Sequence, residues 1–130
     1  MIEEGLYKAL KDDSDVGSKV QNGSVYHIYP LRLPEGVDLS NGYAVTYTEI
    51  TQALTYPLVR QSLFQINAFA KTFENARELA SDIDDALNDL SETKLGGEFA
   101  VNYVKFINRQ ALFDEQSNLW YYAIEVTIKF

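Results

Sequence analysis

The chain has 130 residues, a formal net charge of −8, one histidine and no cysteine. These numbers exclude a disulfide framework, a thiol nucleophile, thiolate-held zinc or iron–sulfur sites, and a zinc site with several histidines from one chain. The acidic balance argues against general nucleic-acid binding, which needs a basic surface. Because 46% of the residues are hydrophobic, the length suits one packed domain that spans residues 1–130.

The first half of the chain is predicted to hold one helix and two strands. Residues 2–10 carry apolar side chains at helical spacing, whereas residues 11–24 are rich in Asp, Ser, Gly and Asn and predict a loop. Residues 25–29 are β-branched and aromatic, which predicts the first strand. The second strand is predicted from residue 43 to about residue 51, and a loop from residue 52 to residue 59.

The second half of the chain shows clearer periodicity. Residues 60–70 alternate with a period of two and predict the third strand. Residues 73–90 repeat apolar side chains at helical spacing and predict the longest helix. Residues 98–112 and 119–130 predict two long strands, joined by a hairpin loop at residues 114–118.

The element order α-β-β-β-α-β-β predicts an α+β fold. We expect a two-layer sandwich, in which two helices cover one face of a mostly antiparallel sheet. The third strand, the long helix and the fourth strand should form a right-handed β-α-β crossover. Apolar side chains that fall outside the predicted core faces suggest a second apolar sheet face, and thus association: Leu63, Phe69, Val104, Phe106 and Tyr121.

The negative charge is concentrated in residues 1–15 and 72–95, and the remainder of the chain is neutral in total. Five acidic residues fall on one side of the long helix. They form either a solvated face that keeps the protein soluble or a surface that faces DNA or a basic partner. Carboxylates on a single helix rarely enclose a cation, so a metal site is disfavoured. This acidic stripe comprises Glu74, Glu78, Asp82, Asp85 and Asp89.

The sequence contains no recognisable catalytic constellation. His27 lies within a predicted strand, without a local partner or a Gly-x-Ser-x-Gly motif, and is interpreted as a structural or surface residue. The apolar loop around Tyr56 predicts either a segment that packs on the core or an anchor for another subunit. The candidate subunit or partner interface comprises Leu54, Tyr56, Pro57, Leu58, Arg60, Arg109, Asp114 and Glu115.

Several segments resemble the tail-terminator proteins of long-tailed bacteriophages, also called tail-completion or head–tail joining proteins. The resemblance rests on residues 65–70, followed by residues 76–80 and 83–87 of the long helix. Residues 43–47 resemble the second strand of that family, and residues 113–130 resemble its last hairpin. The size and the order of the elements also match, so the resemblance covers most of the chain.

This resemblance implies a non-enzymatic virion structural protein without a cofactor. Members of the family form a hexameric ring that caps the head-proximal end of the tail tube, ends tube polymerisation and provides the joint to the head connector. The implied partners are other copies of the chain, the tail tube protein and the head connector or stopper protein. DNA passes through the ring without specific binding, and no membrane is involved. The implied location is the tail or neck of the virion, after assembly in the host cytoplasm.

The sequence is compatible with two other functions. The first is another neck component, such as a head-closure or connector protein. The second, from a different class, is a small ligand-binding or enzymatic α+β domain that uses an open sheet face with His27.

Overall fold

The computed structural model describes residues 2–34, 42–55, 59–88, 103–115 and 118–129. Within these ranges the chain has an α+β fold with three helices, a mixed five-stranded sheet and a two-stranded sheet. The elements are α1 (Ile2–Asp12), α2 (Ser14–Val20), β1 (Gln21–Asn22), β2 (Val25–Tyr26), β3 (Ile28–Pro30), β4 (Tyr43–Thr55), β5 (Val59–Ala70), α3 (Phe73–Asn88), β6 (Tyr103–Asp114) and β7 (Leu119–Lys129).

The large sheet has the strand order β3-β4-β5-β7-β6. The pairs β4/β5, β5/β7 and β7/β6 are antiparallel, whereas the short β3 runs parallel to β4 and makes the sheet mixed. Since β5 and β6 are both antiparallel to β7, they run parallel to each other. The predicted β-α-β crossover therefore connects β5 to β6 through α3, with β7 inserted between the two strands.

One face of the sheet shares a single hydrophobic core with all three helices. Antiparallel register places Phe64 opposite Val126 and Ile66 opposite Ile124, so their side chains lie on the same face. Burial of these side chains is the main stabilising contribution to the fold. The core contains Leu6, Leu10, Val16, Val20, Ile28, Val45, Phe64, Ile66, Ala68, Leu79, Ala80, Ile83, Ala86, Leu87, Ile124, Val126 and Ile128.

The prediction of a loop over residues 11–24 is wrong, because this segment contains α2. The Asp13 carboxylate accepts hydrogen bonds from the backbone N–H groups of Asp15 and Val16, both at 3.1 Å, and so caps the helix. Val16 and Val20 lie one turn apart and are fully buried. The cap and the packing together outweigh the low helix propensity of the segment.

The predicted first strand is divided into two short strands. β2 pairs antiparallel with β1 across a turn at Gly23, whose φ of 65° favours glycine. β3 pairs with β4 in the large sheet instead. His27 lies between them: its N–H donates to the Val20 carbonyl, and its carbonyl accepts from the Val45 N–H.

The remaining strands and the long helix are present as predicted, but they begin or end at different residues. β4 extends to Thr55 and β5 begins at Val59, so most of the predicted loop at residues 52–59 is strand. The predicted ends at residues 89–90, 98–102 and 130 lie outside the described residues. Asp114 belongs to β6 and pairs with Leu119, and is therefore not part of the hairpin loop.

The second face of the sheet is less apolar than predicted. Val104 and Phe106 pack against the main core, because they lie opposite Ile128 and Val126, so the prediction is wrong for these two residues. A register shift at Ile107 then changes the alternation along β6. The second face does hold a small cluster of Ala44, Phe69 and Leu119, against which Leu33 and Tyr121 pack.

Candidate functional site

The acidic stripe is partly occupied by a contact within the protein. Lys19 of α2 forms ion pairs with Asp82 and with Glu78 of α3, the latter at 3.3 Å between Nζ and Oε1. Only 20% of the Lys19 side chain and 16% of the Asp82 side chain are exposed. These two carboxylates therefore hold α2 against α3.

Glu74, Glu78 and Asp85 are exposed on α3, and of these Glu74 and Asp85 are not part of the Lys19 contact. Glu74 lies in the first turn of the helix, where a negative charge is favourable next to the helix dipole. Asp89 lies outside the described residues. A partner of the stripe would therefore meet Glu74 and Asp85 more readily than the paired Asp82.

The environment of Lys19 shows what this contact contributes. Partial burial disfavours the charged ammonium, but hydrogen bonds and attraction from Asp82 and Glu78 outweigh that effect, so the pKa of Lys19 lies above its ordinary value. Since the pKa is raised on folding, the stabilisation is fully present below the unfolded-state pKa of 10.5. It is lost as the pH rises through the higher folded-state pKa.

Arg109, a predicted interface residue, lies on β6 and contacts a carboxylate of α3. Its guanidinium forms an ion pair with Asp84, a residue on the sheet-facing side of the helix. The other carboxylate oxygen of Asp84 is buried and has no hydrogen-bond partner within the described structure. The contact ties β6 to α3, while the Arg109 side chain remains exposed at the edge of the sheet.

The hairpin tip and the apolar loop are described only in part. Glu115 is exposed directly after β6, and Asn118 adopts a positive φ of 59° as the chain turns into β7. Residues 54 and 60 pair with each other across β4 and β5. Tyr56, Pro57 and Leu58, the remaining predicted interface residues, lie outside the described residues.

An aromatic cluster near the start of α3 was not singled out from the sequence. The ring of Trp120 lies 5.6 Å from that of Phe73 and 5.1 Å from that of Phe113, in edge-on geometry. Tyr122 adds a fourth ring, 5.8 Å from that of Phe73. Phe73 and Phe113 are exposed although they are large and apolar, which favours protein contact. The alternation of β7 predicted that Trp120 and Tyr122 share a face, but nothing in the sequence placed Phe73 and Phe113 beside them.

His27 is buried and has a phenol as its described side-chain partner. Its Nδ1 lies 2.6 Å from the hydroxyl oxygen of Tyr29, whereas its Nε2 is buried without a described partner. Burial, followed by the proximity of Tyr7, raises the pKa of Tyr29. A catalytic base of the serine-hydrolase type would instead need a carboxylate to orient its imidazole. This geometry favours the structural interpretation of His27.

The part of the chain that the structure describes holds neither a metal-binding cluster nor a membrane-spanning helix. No group of three or more His, Cys, Asp or Glu side chains is arranged to hold a metal ion there. None of the described helices is both long enough and apolar enough to span a membrane.

Comparison with known proteins identifies a similar fold. No protein-family model and no curated protein matches the chain. Its structure is similar to that of a chain in the solved virion of a native gene transfer agent (GTA) particle, with a TM-score of 0.67 and 20% sequence identity. The match covers 95% of this chain and 90% of that chain. The two chains therefore share a fold over nearly their whole lengths.

Proposed function

We propose that the chain is a virion structural protein and acts as a tail terminator. In this role several copies, six by the family resemblance, form a ring on the head-proximal end of a tail tube. The ring ends tube polymerisation and provides the joint to the head connector. Its partners are further copies of itself, the tail tube protein and the head connector or stopper protein, within the tail or neck of a particle that assembles in the host cytoplasm.

The observation that carries this proposal is the shared fold with a chain of a gene transfer agent virion. The match extends over nearly the full length of both chains, so it concerns the whole domain. The sequence resemblance to tail terminators supports the same proposal, and it does not depend on the structural match. Residues 65–70 of the resemblance lie on β5, and residues 76–80 and 83–87 lie on α3; both elements contribute to the core.

The surface of the protein suits contact with other proteins. Phe73 and Phe113 expose large aromatic side chains beside Trp120. Aromatic residues are enriched in protein interfaces, because they bury a large area with few rotatable bonds. We therefore propose a role in assembly and not in catalysis, with no cofactor.

The net charge of −8 bears on how DNA would pass such a ring. Negative side chains repel the phosphate backbone and so disfavour binding. We propose that DNA passes through without being held. The exposed Glu74 and Asp85 would face the DNA path or a basic partner, whereas Glu78 and Asp82 are paired with Lys19.

Deletion of the gene for this chain tests the proposed role. Without a terminator, tail tubes should continue to grow, so electron micrographs should show tubes of widely varying length that are not joined to heads. Supplying the intact gene in trans should restore a single tail length. Tails of uniform normal length that are detached from heads would contradict the terminator role and indicate another neck component. Unchanged particles would contradict both roles.

A further inference from the structure

The five-stranded sheet has two outer edges that no described strand covers. β6 pairs with β7 on one side and with no described strand on the other. β3 pairs with β4 only as far as residue 47, so residues 48–55 of β4 have a described strand partner on one side, β5. Such edges expose backbone N–H and C=O groups that can pair with another chain.

Each of these two edges carries one exposed isoleucine at a break in the strand register. Ile50 lies at the register shift between Glu49 and Thr51 of β4, and its side chain is 48% exposed. Ile107 lies at the shift between Phe106 and Asn108 of β6, and its side chain is 51% exposed. We call Ile50 and Ile107 the edge isoleucines.

The edge isoleucines lie on opposite sides of one row of paired residues, about one residue (~3.4 Å) apart along the strands. The residues before them, Glu49 and Phe106, belong to one row of paired residues that crosses the sheet through Phe64 and Val126. A second copy of the chain placed beside the first, without a shift along the strands, therefore makes Ile50 of one copy a diagonal neighbour of Ile107 of the other.

The strand directions also allow two copies to join side by side. Three antiparallel pairings separate β4 from β6, so these two strands run in opposite directions. When one copy is displaced sideways, its β4 meets the β6 of its neighbour as an antiparallel pair. This displacement leaves the helices of both copies on the same face of the joined sheets.

We propose that the β6 edge of one copy docks on the β4 edge of the next copy, with the edge isoleucines at the centre of this seam. The inference rests on the proposed ring, because it names the surface that joins one subunit to the next. The seam uses different surfaces on its two sides, so it propagates from copy to copy and closes into a ring when the rotation between copies allows.

A register break on an edge strand can also serve to prevent pairing. Proteins that protect an edge in this way usually place Lys or Pro there, since a charged or ring-locked residue disfavours association. The β6 edge carries an exposed lysine, Lys105, two residues before its break, but both breaks themselves carry isoleucine, whose burial between subunits is favourable. The ladder can form on either side of the breaks while the two side chains pack against each other.

Cross-linking tests the seam, and the absence of native cysteine makes every introduced thiol unique. The double variant Ile50→Cys/Ile107→Cys is produced in cells that assemble the particle, and purified particles are treated with a short bis-maleimide. The matched control is Lys8→Cys/Ser81→Cys, which places both thiols on exposed helix positions. Thermal melting of each purified variant establishes that it folds like the original chain.

The proposal predicts a ladder of covalently linked multimers from the edge variant. The cross-linked fraction should exceed that of the control by at least about tenfold, because a seam holds the two thiols at high effective concentration. A mixture of the two single variants should give dimers that contain one chain of each kind, and no larger product.

Other results would overturn the seam in distinguishable ways. Dimers from Ile107→Cys alone would indicate that two β6 edges meet in a two-fold contact. Rings visible in micrographs without cross-linking of the edge variant would contradict the seam and leave the terminator role intact. If neither the folded variant nor the original chain is found in the particles, the result contradicts both the proposed function and the seam.

Discussion

Lys19 is the residue whose ion pairs join α2 to α3. Its ammonium is mostly covered and contacts two carboxylates of α3, one of which, Asp82, is also mostly covered. A covered pair loses less attraction to solvent screening than an exposed pair. The acidic stripe inferred from the sequence therefore combines a structural contact, which the sequence could not show, with exposed carboxylates.

A double-mutant cycle on Lys19→Met and Asp82→Asn measures this contact. We expect a coupling free energy of about 1 kcal/mol in chemical denaturation, at the upper end for surface pairs because both side chains are mostly buried. The matched control is the exposed pair Lys8 and Asp12 of α1, whose atoms lie 2.9 Å apart. Its coupling should be about 0.3–0.5 kcal/mol. Equal couplings for the two pairs would show that burial does not strengthen the Lys19 contact.

At the scale of elements, strong periodicity predicted β5, α3 and β7 well. Each has apolar residues on one side over at least ten positions, and each packs that side on the core. The helix α2 was missed because its seven residues have weak helix propensity and its stability comes from contacts made only in the folded chain. The register shifts at the edge isoleucines were missed because an extra residue changes the alternation without changing the composition.

Substitution of Gly17 tests how closely α2 packs against α1. A Cβ built at this position would lie 2.5 Å from the carbonyl oxygen of Lys11, which is backbone and cannot move aside cheaply. Gly17→Ala should therefore lower the free energy of unfolding by roughly 1–2 kcal/mol, because this clash exceeds the gain of about 1 kcal/mol in helix propensity. Ser18→Ala, an exposed change in the same helix, should stay within about 0.5 kcal/mol of the original chain. Stabilisation by Gly17→Ala would show that α1 and α2 pack less closely.

At the scale of the whole molecule, the acidic stripe and the two sheet edges are separate surfaces. The exposed carboxylates of the stripe lie on α3, whereas the two sheet edges present isoleucines and backbone groups. Such a division suits a subunit that meets its neighbours through the sheet edges and keeps its acidic stripe on a different surface. The sequence resemblance indicated the kind of assembly, but the proposed seam could not be inferred without the strand order and register.

The structure describes only some of the interface residues that were predicted from the sequence. Arg109 is exposed on the β6 edge and also contacts Asp84, so it can support β6 while lying next to a neighbouring subunit. Leu54 and Arg60 lie on paired strands, and the segment between them includes residues outside the described ranges. Their role in the interface remains a prediction.

The most direct test of the proposed function is a cryo-electron microscopy reconstruction of the native particle at the junction of head and tail. The proposal predicts a ring of copies of this chain on the last layer of the tail tube, below the head connector, with β6 of each copy beside β4 of the next. Density for the chain in the capsid shell, inside the tube or at the distal tail tip would contradict the terminator role.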